Sequence, residues 1–207
     1  MNSLLALAPR SSISLSRLTE LFAPPGCRVP DYRREITLRD GRTAIVRPIC
    51  SEDKQDLQGL HKRLSQDTLF LRYHYSKGQL TEQDLRDFCD LDYHDQMGLV
   101  VEMEIEGKKQ IVAVGRYIHI PSNHTAEVAF VVQDDLQNNG IGTQLLKHLA
   151  ILARERDVHY FFGEVLRQNS KMLSIFRKSD PRIKMEVDSS STCTIKLSTE
   201  EAAKNRY

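Results

Sequence analysis

A chain of 207 residues suits one domain with extensions and is long enough to bury a sizeable core. Its 29 Lys and Arg balance 28 Asp and Glu, so overall charge gives no reason to expect nucleic acid or a membrane surface as the partner. No apolar run approaches the ~20 residues a membrane span needs, and Leu4-Leu5-Ala6-Leu7-Ala8 is too short, and lacks the basic lead, for a secretory signal. Cys27, Cys50, Cys89 and Cys193 are scattered without CxxC spacing, which argues against a zinc knuckle and fits reduced thiols. The expectation is a soluble, cytoplasmic protein without a metal.

Residues 1–35 are rich in Ser, Pro and Arg and read as an extension or arm. Ser14 or Ser16 caps one short helix over Leu18 to Phe22, which Pro24-Pro25-Gly26 ends. A folded domain is expected over 36–198, with 199–207 as a tail. It opens with a hairpin: Arg33 to Leu38, a turn at Asp40-Gly41, and a return through Thr43 to Arg47 that Pro48 stops. Ser51 is placed to cap a helix from Asp53 to Leu64, whose inner stripe is Leu57, Leu60 and Leu64. A second helical piece spans Asp67 to Tyr75, and Thr81 caps a third from Glu82 to Leu91. Met97 to Glu104 and Gln110 to His119 form the next hairpin, turned at Glu106-Gly107-Lys108.

The stretch from Ala126 to Arg156 then reads strand, glycine turn, helix. Val128, Phe130 and Val132 alternate with Glu127, Ala129, Val131 and Gln133, the period of a strand. Gln137-Asn138-Asn139-Gly140-Ile141-Gly142 turns the chain, and Leu145, Leu146, Leu149, Leu152 and Ala153 recur at helical spacing. The loop therefore sits at a helix N-terminus, whose unpartnered amides and partial positive charge suit a phosphate. It lacks the Lys-Ser/Thr ending of a P-loop and the third glycine of a dinucleotide-binding turn. Beyond it, Tyr160 to Leu166 is a strand, Asn169 caps a helix through Phe176, and 182–187 with 192–197 make a closing pair. The order implies an α/β (α+β) fold with a mostly antiparallel sheet flanked by helices.

The turn resembles motif A of the GNAT superfamily of N-acyltransferases, Q/R-x-x-G-x-G/A: Gln137, Gly140 and Gly142 match all three defined positions. The likeness extends from about Ile36 to Leu197 and is closest to the bacterial protein-lysine acetyltransferase branch. It implies acetyl-CoA as the acyl donor and a protein lysine as the acceptor, with a small amine, or a non-catalytic acyl-CoA sensor, as alternatives. The loop residues Gln137, Asn138, Asn139, Gly140, Ile141, Gly142 and Thr143 would then hold the pyrophosphate. A splayed strand pair would bind the pantetheine arm through Val131, Val132 and Gln133, with the Val131 amide also facing the thioester oxygen, and Asn169 would lie nearby. The helices between the first two hairpins would wall the acceptor pocket, bringing in Arg72, Tyr73, His74, Tyr75 and Tyr93.

Transfer to an amine needs a base, because a free lysine with a pKa near ~10.4 is almost wholly charged at neutral pH. Glu127 is the candidate: Ala-Glu-Val-Ala-Phe at 126–130 resembles the glutamate-bearing strand of protein acetyltransferases, and Glu127 shares a strand face with Val131. Four strand residues span roughly 13 Å, so Glu127 would act at the amine and not at the sulfur. The ordinary alternative is a pairing with a cross-strand cation such as Arg116. Phe176 stands where many members carry a tyrosine, and Asp180-Pro181 replaces their Gly-Phe. Seven histidines show no HExxH spacing, and no serine lies in a GxSxG elbow.

Overall fold

The computed structural model describes residues 31–120, 123–188 and 191–204. The helix expected over Leu18 to Phe22 lies outside the described residues. The strands are β1 (Arg34–Thr37), β2 (Thr43–Pro48), β3 (Gln96–Ile105), β4 (Lys108–Ile120), β5 (Thr125–Val132), β6 (Tyr160–Leu166), β7 (Lys184–Val187) and β8 (Thr192–Ser198). The helices are α1 (Lys54–Arg63), α2 (Gln66–Tyr73), α3 (Glu82–Cys89), α4 (Ile141–Arg154), α5 (Ser170–Ser179) and α6 (Thr199–Lys204). One eight-stranded sheet has the order β1-β2-β3-β4-β5-β6-β8-β7, and every neighbouring pair is antiparallel except β5 with β6.

Local chemistry sets the turns. Asp40 accepts from the Arg42 amide at 3.0 Å and Gly41 takes φ 85°, closing the β1–β2 hairpin. Glu106 and Gly107 both have positive φ, 52° and 76°, the geometry a two-residue hairpin loop needs to follow strand twist. The Ser51 cap does not form. A short 3-10 turn over Ser51–Asp53 precedes α1, and the Asp53 carboxylate reaches back to the Cys50 amide at 2.8 Å while pairing with Arg47 at 2.7 Å. An ion pair to the preceding strand outcompetes a hydroxyl cap because one carboxylate satisfies both partners. Thr81 caps α3 as expected, with Asp84 completing a reciprocal cap, and the Asn169 side chain accepts from the Met172 amide at 3.1 Å.

The sheet is covered on both faces. Leu145, Leu146, Leu149 and Ala153 of α4 are buried against Val128, Phe130 and Phe161, while Leu57 and Leu60 of α1 pack with Ile49, Val100 and Ile111 opposite. Residues 199–204, expected as a tail, form α6 and bury Ala202 in the same core as α4. Asp180 explains the missing Gly-Phe: its carboxylate accepts from the Arg182 amide at 2.9 Å and the Ser198 amide at 3.1 Å, fastening the end of α5 to β8.

Two irregularities shape the functional region. Val101 pairs with Ala113 but Glu102 pairs with Ile111, so Val112 is an extra residue bulged into β4. Parallel pairing of β5 with β6 covers only Thr125, Ala126 and Glu127, opposite Tyr160, Phe161 and Phe162; beyond Glu127 the two strands part.

Candidate active site

Between the parted ends of β5 and β6 lies a cleft of about 470 Å³. Its walls are Val128 to Val132 of β5, Glu164 and Val165 of β6, the turn from Leu136 to Thr143, one side of α5, and residues of α2 including Arg72.

The floor of the cleft is the start of α4. Gly140 precedes the helix at φ 90°, a backbone conformation that an L side chain resists, and no side chain caps the helix. The first helical bond runs from the Gln144 amide to the Gly140 carbonyl at 3.0 Å, so the amides of Ile141, Gly142 and Thr143 come before it and carry the partial positive charge of the terminus. A methyl group on Gly142 would sit 2.8 Å from Ile175 Cδ1 and 3.2 Å from Phe130 Cε2, so glycine lets the turn nest against β5 and α5. The loop is held in place from both sides. Gln137 donates to the Val132 carbonyl at 3.1 Å and to Thr68 Oγ1 at 3.2 Å, and its amide oxygen accepts from Lys171 at 2.7 Å. Arg39, from the β1–β2 turn, donates to the carbonyls of Asn138 and Asn139 at 3.1 and 3.2 Å.

Sequence reading missed Arg39 and Lys171, yet both line the cleft and bring positive charge to its turn end. Asp134 was missed as well. It accepts from Ser65 N, Ser65 Oγ and Thr68 Oγ1 at 2.9, 2.6 and 2.6 Å, pinning α2 to the end of β5. Burial alone would raise its pKa, but the hydrogen bonds from Ser65 and Thr68 outweigh burial and hold it low.

Of the expected strand residues Val131, Val132 and Gln133, two face away from the gap. The Gln133 amide donates to the Val112 carbonyl at 2.9 Å, and Val131 faces Val114 in the same register. In an antiparallel pair bonding alternates, so Gln133 and Val131 turn their amides toward β4. Phe130 and Val132 turn theirs toward the gap, and the Val128 carbonyl points the same way, 3.2 Å from where a Cβ on Gly163 would stand. The Val131 amide therefore cannot face a thioester oxygen; the gap-facing amides belong to Phe130 and Val132. The Gln133 side chain is buried and accepts from Arg63 at 2.7 Å, which makes it part of the frame.

On the same face of β5 as Ala129 and Val131, Glu127 is 4% exposed and does not reach the cleft wall. His74 and Glu164 do line the cleft, with His74 Nδ1 3.6 Å from Glu164 Oε1. His74 closes α2 in the left-handed conformation at φ 63°. Burial holds its pKa below the ordinary imidazole value, against the opposing pull of Glu164 and, more weakly, of Glu127. The carboxylate of Glu127 is thus within electrostatic reach of a neutral imidazole that touches the cleft. Arg116 makes its hydrogen bonds to the Asp87 carbonyl and to Gln96 Oε1. Of the expected acceptor wall, Arg72 and His74 line the cleft, Tyr73 is buried behind it, Tyr75 faces solvent, and the Tyr93 hydroxyl donates to the Ile49 carbonyl. Asn169 lines the cleft while its side chain caps α5, and Phe176 is buried edge-to-face on Phe130.

Comparison with known proteins decides the family. The model of the acetyltransferase (GNAT) family matches residues 63–179, more than half of the chain. The chain belongs to the GNAT acetyltransferase family. Members of known structure include the GNAT domain of the S. lividans PAT, 31% identical, which superposes with a TM-score of 0.72 over 80% of this chain and 96% of that one. Among curated relatives, an acetyltransferase of Pseudomonas aeruginosa is 29% identical over 61% of this chain and 68% of its own length. Acetyltransferase Pat of Mycolicibacterium smegmatis is 30% identical over 68% of this chain, a match spanning 41% of the length of Pat. The mixed sheet with its parted strand pair is the fold of these GNAT neighbours, and the chain is an N-acetyltransferase by family.

Proposed function

We propose that this chain transfers an acetyl group from acetyl-CoA directly to an amine, with a protein lysine side chain as the acceptor. The observation that carries the reading is an uncapped α4 N-terminus opening, beside a parted strand edge, into one cleft of about 470 Å³. The amides of Gly140, Ile141, Gly142 and Thr143 suit the pyrophosphate, with Arg39 and Lys171 adding positive charge. Asn138 and Asn139 shape the turn through carbonyls held by Arg39, and Gln137 fastens it to β5. The edge of Phe130 and Val132 offers backbone groups to an extended amide-bearing arm, as a sheet edge does to an added strand. Asn169 lies at the same wall.

In the reaction the neutral amine nitrogen attacks the thioester carbonyl, a C–N bond forms, the C–S bond breaks, CoA leaves as thiolate, and the nitrogen's remaining surplus proton passes through water to that thiolate. The ammonium form of lysine must first lose a proton, and Glu127 is its acceptor. Because Glu127 stands behind the wall, the proton passes to it through His74 or one water, His74 being neutral at working pH. Phe176 offers no acid; a thiol of pKa near ~8.5 leaves tolerably without one. Likeness to the Pat branch supports the lysine acceptor, and the free Cys50, Cys89 and Cys193 suit a cytoplasmic setting. The test is incubation with labelled acetyl-CoA and a cell lysate: label on polypeptide supports the reading, and label confined to small molecules overturns the lysine acceptor.

A further inference from the structure

A second, smaller cavity of about 30 Å³ adjoins the cleft, sharing Arg72, Ala129 and Val131 as walls. The rest of its lining is mostly apolar, with three polar side chains, His61 of α1, whose Nε2 lies 2.7 Å from the Gly78 carbonyl, Tyr73 of α2, and Arg116. Arg116, on β4 opposite Ala129, is 7% exposed and its Nε has no hydrogen-bond partner. Its terminal nitrogens reach only neutral groups, the Asp87 carbonyl at 3.3 Å and Gln96 Oε1 at 2.9 Å, and the guanidinium lies 5.2 Å from the Phe88 ring centre. Arg72 stacks on Tyr73 at 5.1 Å. Among the described residues neither arginine has an ion pair.

Two cations at one small cavity are costly. Burial, and then the charge of Arg72, pull the Arg116 pKa down to about 10, a sign that the site is short of negative charge. A buried charge without a counter-ion is destabilising unless something supplies one. A void of this volume has room for about two waters by the usual allowance of ~10–15 Å³ each, which is also close to the room a carboxylate needs. Its position against Ala129 and Val131 means that an occupant would be an appendage of something seated in the cleft.

We propose that Arg116 and Arg72 form the seat of a carboxylate carried by one of the two reactants. The carboxylate is either the far end of a three- or four-carbon dicarboxylic acyl group on the CoA thioester, or the α-carboxylate of an amino-acid acceptor, which would then take the place of the protein lysine. The inference rests on acyl-CoA occupying the cleft along β5. The free Nε–H and the guanidinium fork of Arg116 supply directional donors, and Arg72 at the junction supplies charge.

The experiment uses the full chain with Arg116→Met, Arg116→Lys and Arg72→Met. The donor arm measures dissociation constants of CoA, acetyl-CoA, malonyl-CoA and succinyl-CoA by calorimetry. The acceptor arm follows thiol release from acetyl-CoA with lysine and with 1,5-diaminopentane, the same amine without its carboxylate. A donor carboxylate predicts that malonyl- or succinyl-CoA binds about tenfold tighter than acetyl-CoA, and that the preference disappears in the Met variants. An acceptor carboxylate predicts flat donor affinities and a KM for lysine about tenfold below that of the diamine, again lost in the Met variants. Arg116→Lys should restore only part of either preference, because the ammonium keeps the charge and loses the fork. Should Arg116→Met fail to fold, half-buried Arg72→Met carries the same comparison. CoA binding intact with no preference in either arm overturns the proposal and leaves the cavity to solvent. Absence of CoA binding to the wild type is a different failure, which removes the acyl-CoA reading itself.

Discussion

The assignment of Glu127 as base is tested most directly by Glu127→Gln, which keeps the shape and removes the proton acceptor. At pH 7.4 a lysine of pKa near ~10.4 is about one part in a thousand neutral, so a base has roughly three powers of ten to recover. Positioned general bases contribute about 10²–10⁴ in rate, which brackets that deficit. The structure adds a constraint, since Glu127 is 4% exposed and set behind the cleft wall, whereas His74 and Glu164 lie on it 3.6 Å apart. The expected outcome is a fall in kcat of about 10²–10⁴ at pH 7.4, with little change in CoA affinity, and recovery as pH rises toward ~10 and solvent deprotonates the amine. Log kcat against pH should approach a slope of one in the variant. His74→Gln should give a smaller loss with the same shape if the imidazole only relays the proton. Thiol release by stopped-flow and binding by calorimetry supply both numbers. A Glu127→Gln enzyme with unchanged kcat, or a full loss that instead follows Glu164→Gln, refutes the assignment.

Other outcomes follow from single residues. Gly140→Ala forces a methyl group onto a φ of 90° at a strain of ~1–2 kcal/mol; calorimetry should show CoA affinity weakened about tenfold, and an unaltered affinity would remove the loop from the site. Asn169→Ser keeps a cap on α5 while shortening the side chain; unchanged KM for acetyl-CoA means that Asn169 is only a cap, and a raised KM at equal thermal stability shows contact with the donor. His148, whose Nδ1 lies 2.6 Å from the Tyr32 hydroxyl, is held by burial at a pKa of about 4 against an ordinary 6.5. A depressed histidine contributes stability that is complete above 6.5 and is lost as pH falls toward 4, at about 1.4 kcal/mol per unit, because the unfolded chain takes up the proton first. Urea unfolding at pH 7 and pH 5 should show that loss in the wild type but not in His148→Gln; equal slopes for both proteins contradict the pair.

Much of this site can be read along the chain because its signals are local. Gln137, Gly140 and Gly142 with the flanking strand and helix announce a glycine turn at a helix N-terminus, and Thr81 and Asn169 cap the helices they precede. What failed needed a partner distant in sequence. The side-chain alternation of β5 gives its two faces, but the direction of each amide depends on the strand beside it, here fixed by Val112 and its bond from Gln133. Of the expected Val131, Val132 and Gln133, only Val132 therefore turns its amide to the gap, and Phe130 was not foreseen. Arg39 reaches the loop from a hairpin about a hundred positions earlier, and nothing near it in sequence foretells the contact. Ser51 has the right chemistry for a cap, but Asp53 beside Arg47 has a better use of the same backbone.

The parting of β5 from β6 also has an energetic logic. A strand edge inside a folded protein exposes amides and carbonyls that must find partners, and leaving them unmet costs about 1–3 kcal/mol each. Continued parallel pairing past Glu127 would satisfy them, yet the structure prevents it with packing: α5 leans Phe176 against Phe130, and Ile175 closes over Gly142. β6 spends its other edge on seven pairs with β8, which keeps that strand rigid while its β5-facing edge stays open. The fold thus holds a two-sided slot in which the gap-facing amides of Phe130 and Val132 sit beside an uncapped helix terminus, while the Val132 carbonyl is already met by Gln137. On the proposed reading, a ligand with amides at one end and a diphosphate at the other completes the sheet and the helix together. Binding should then slow hydrogen exchange at Phe130, Val132 and the Gly140–Thr143 amides more than at Val131, whose amide is already held by β4. Equal protection of Val131 and its neighbours would mean that the slot is filled in some other way.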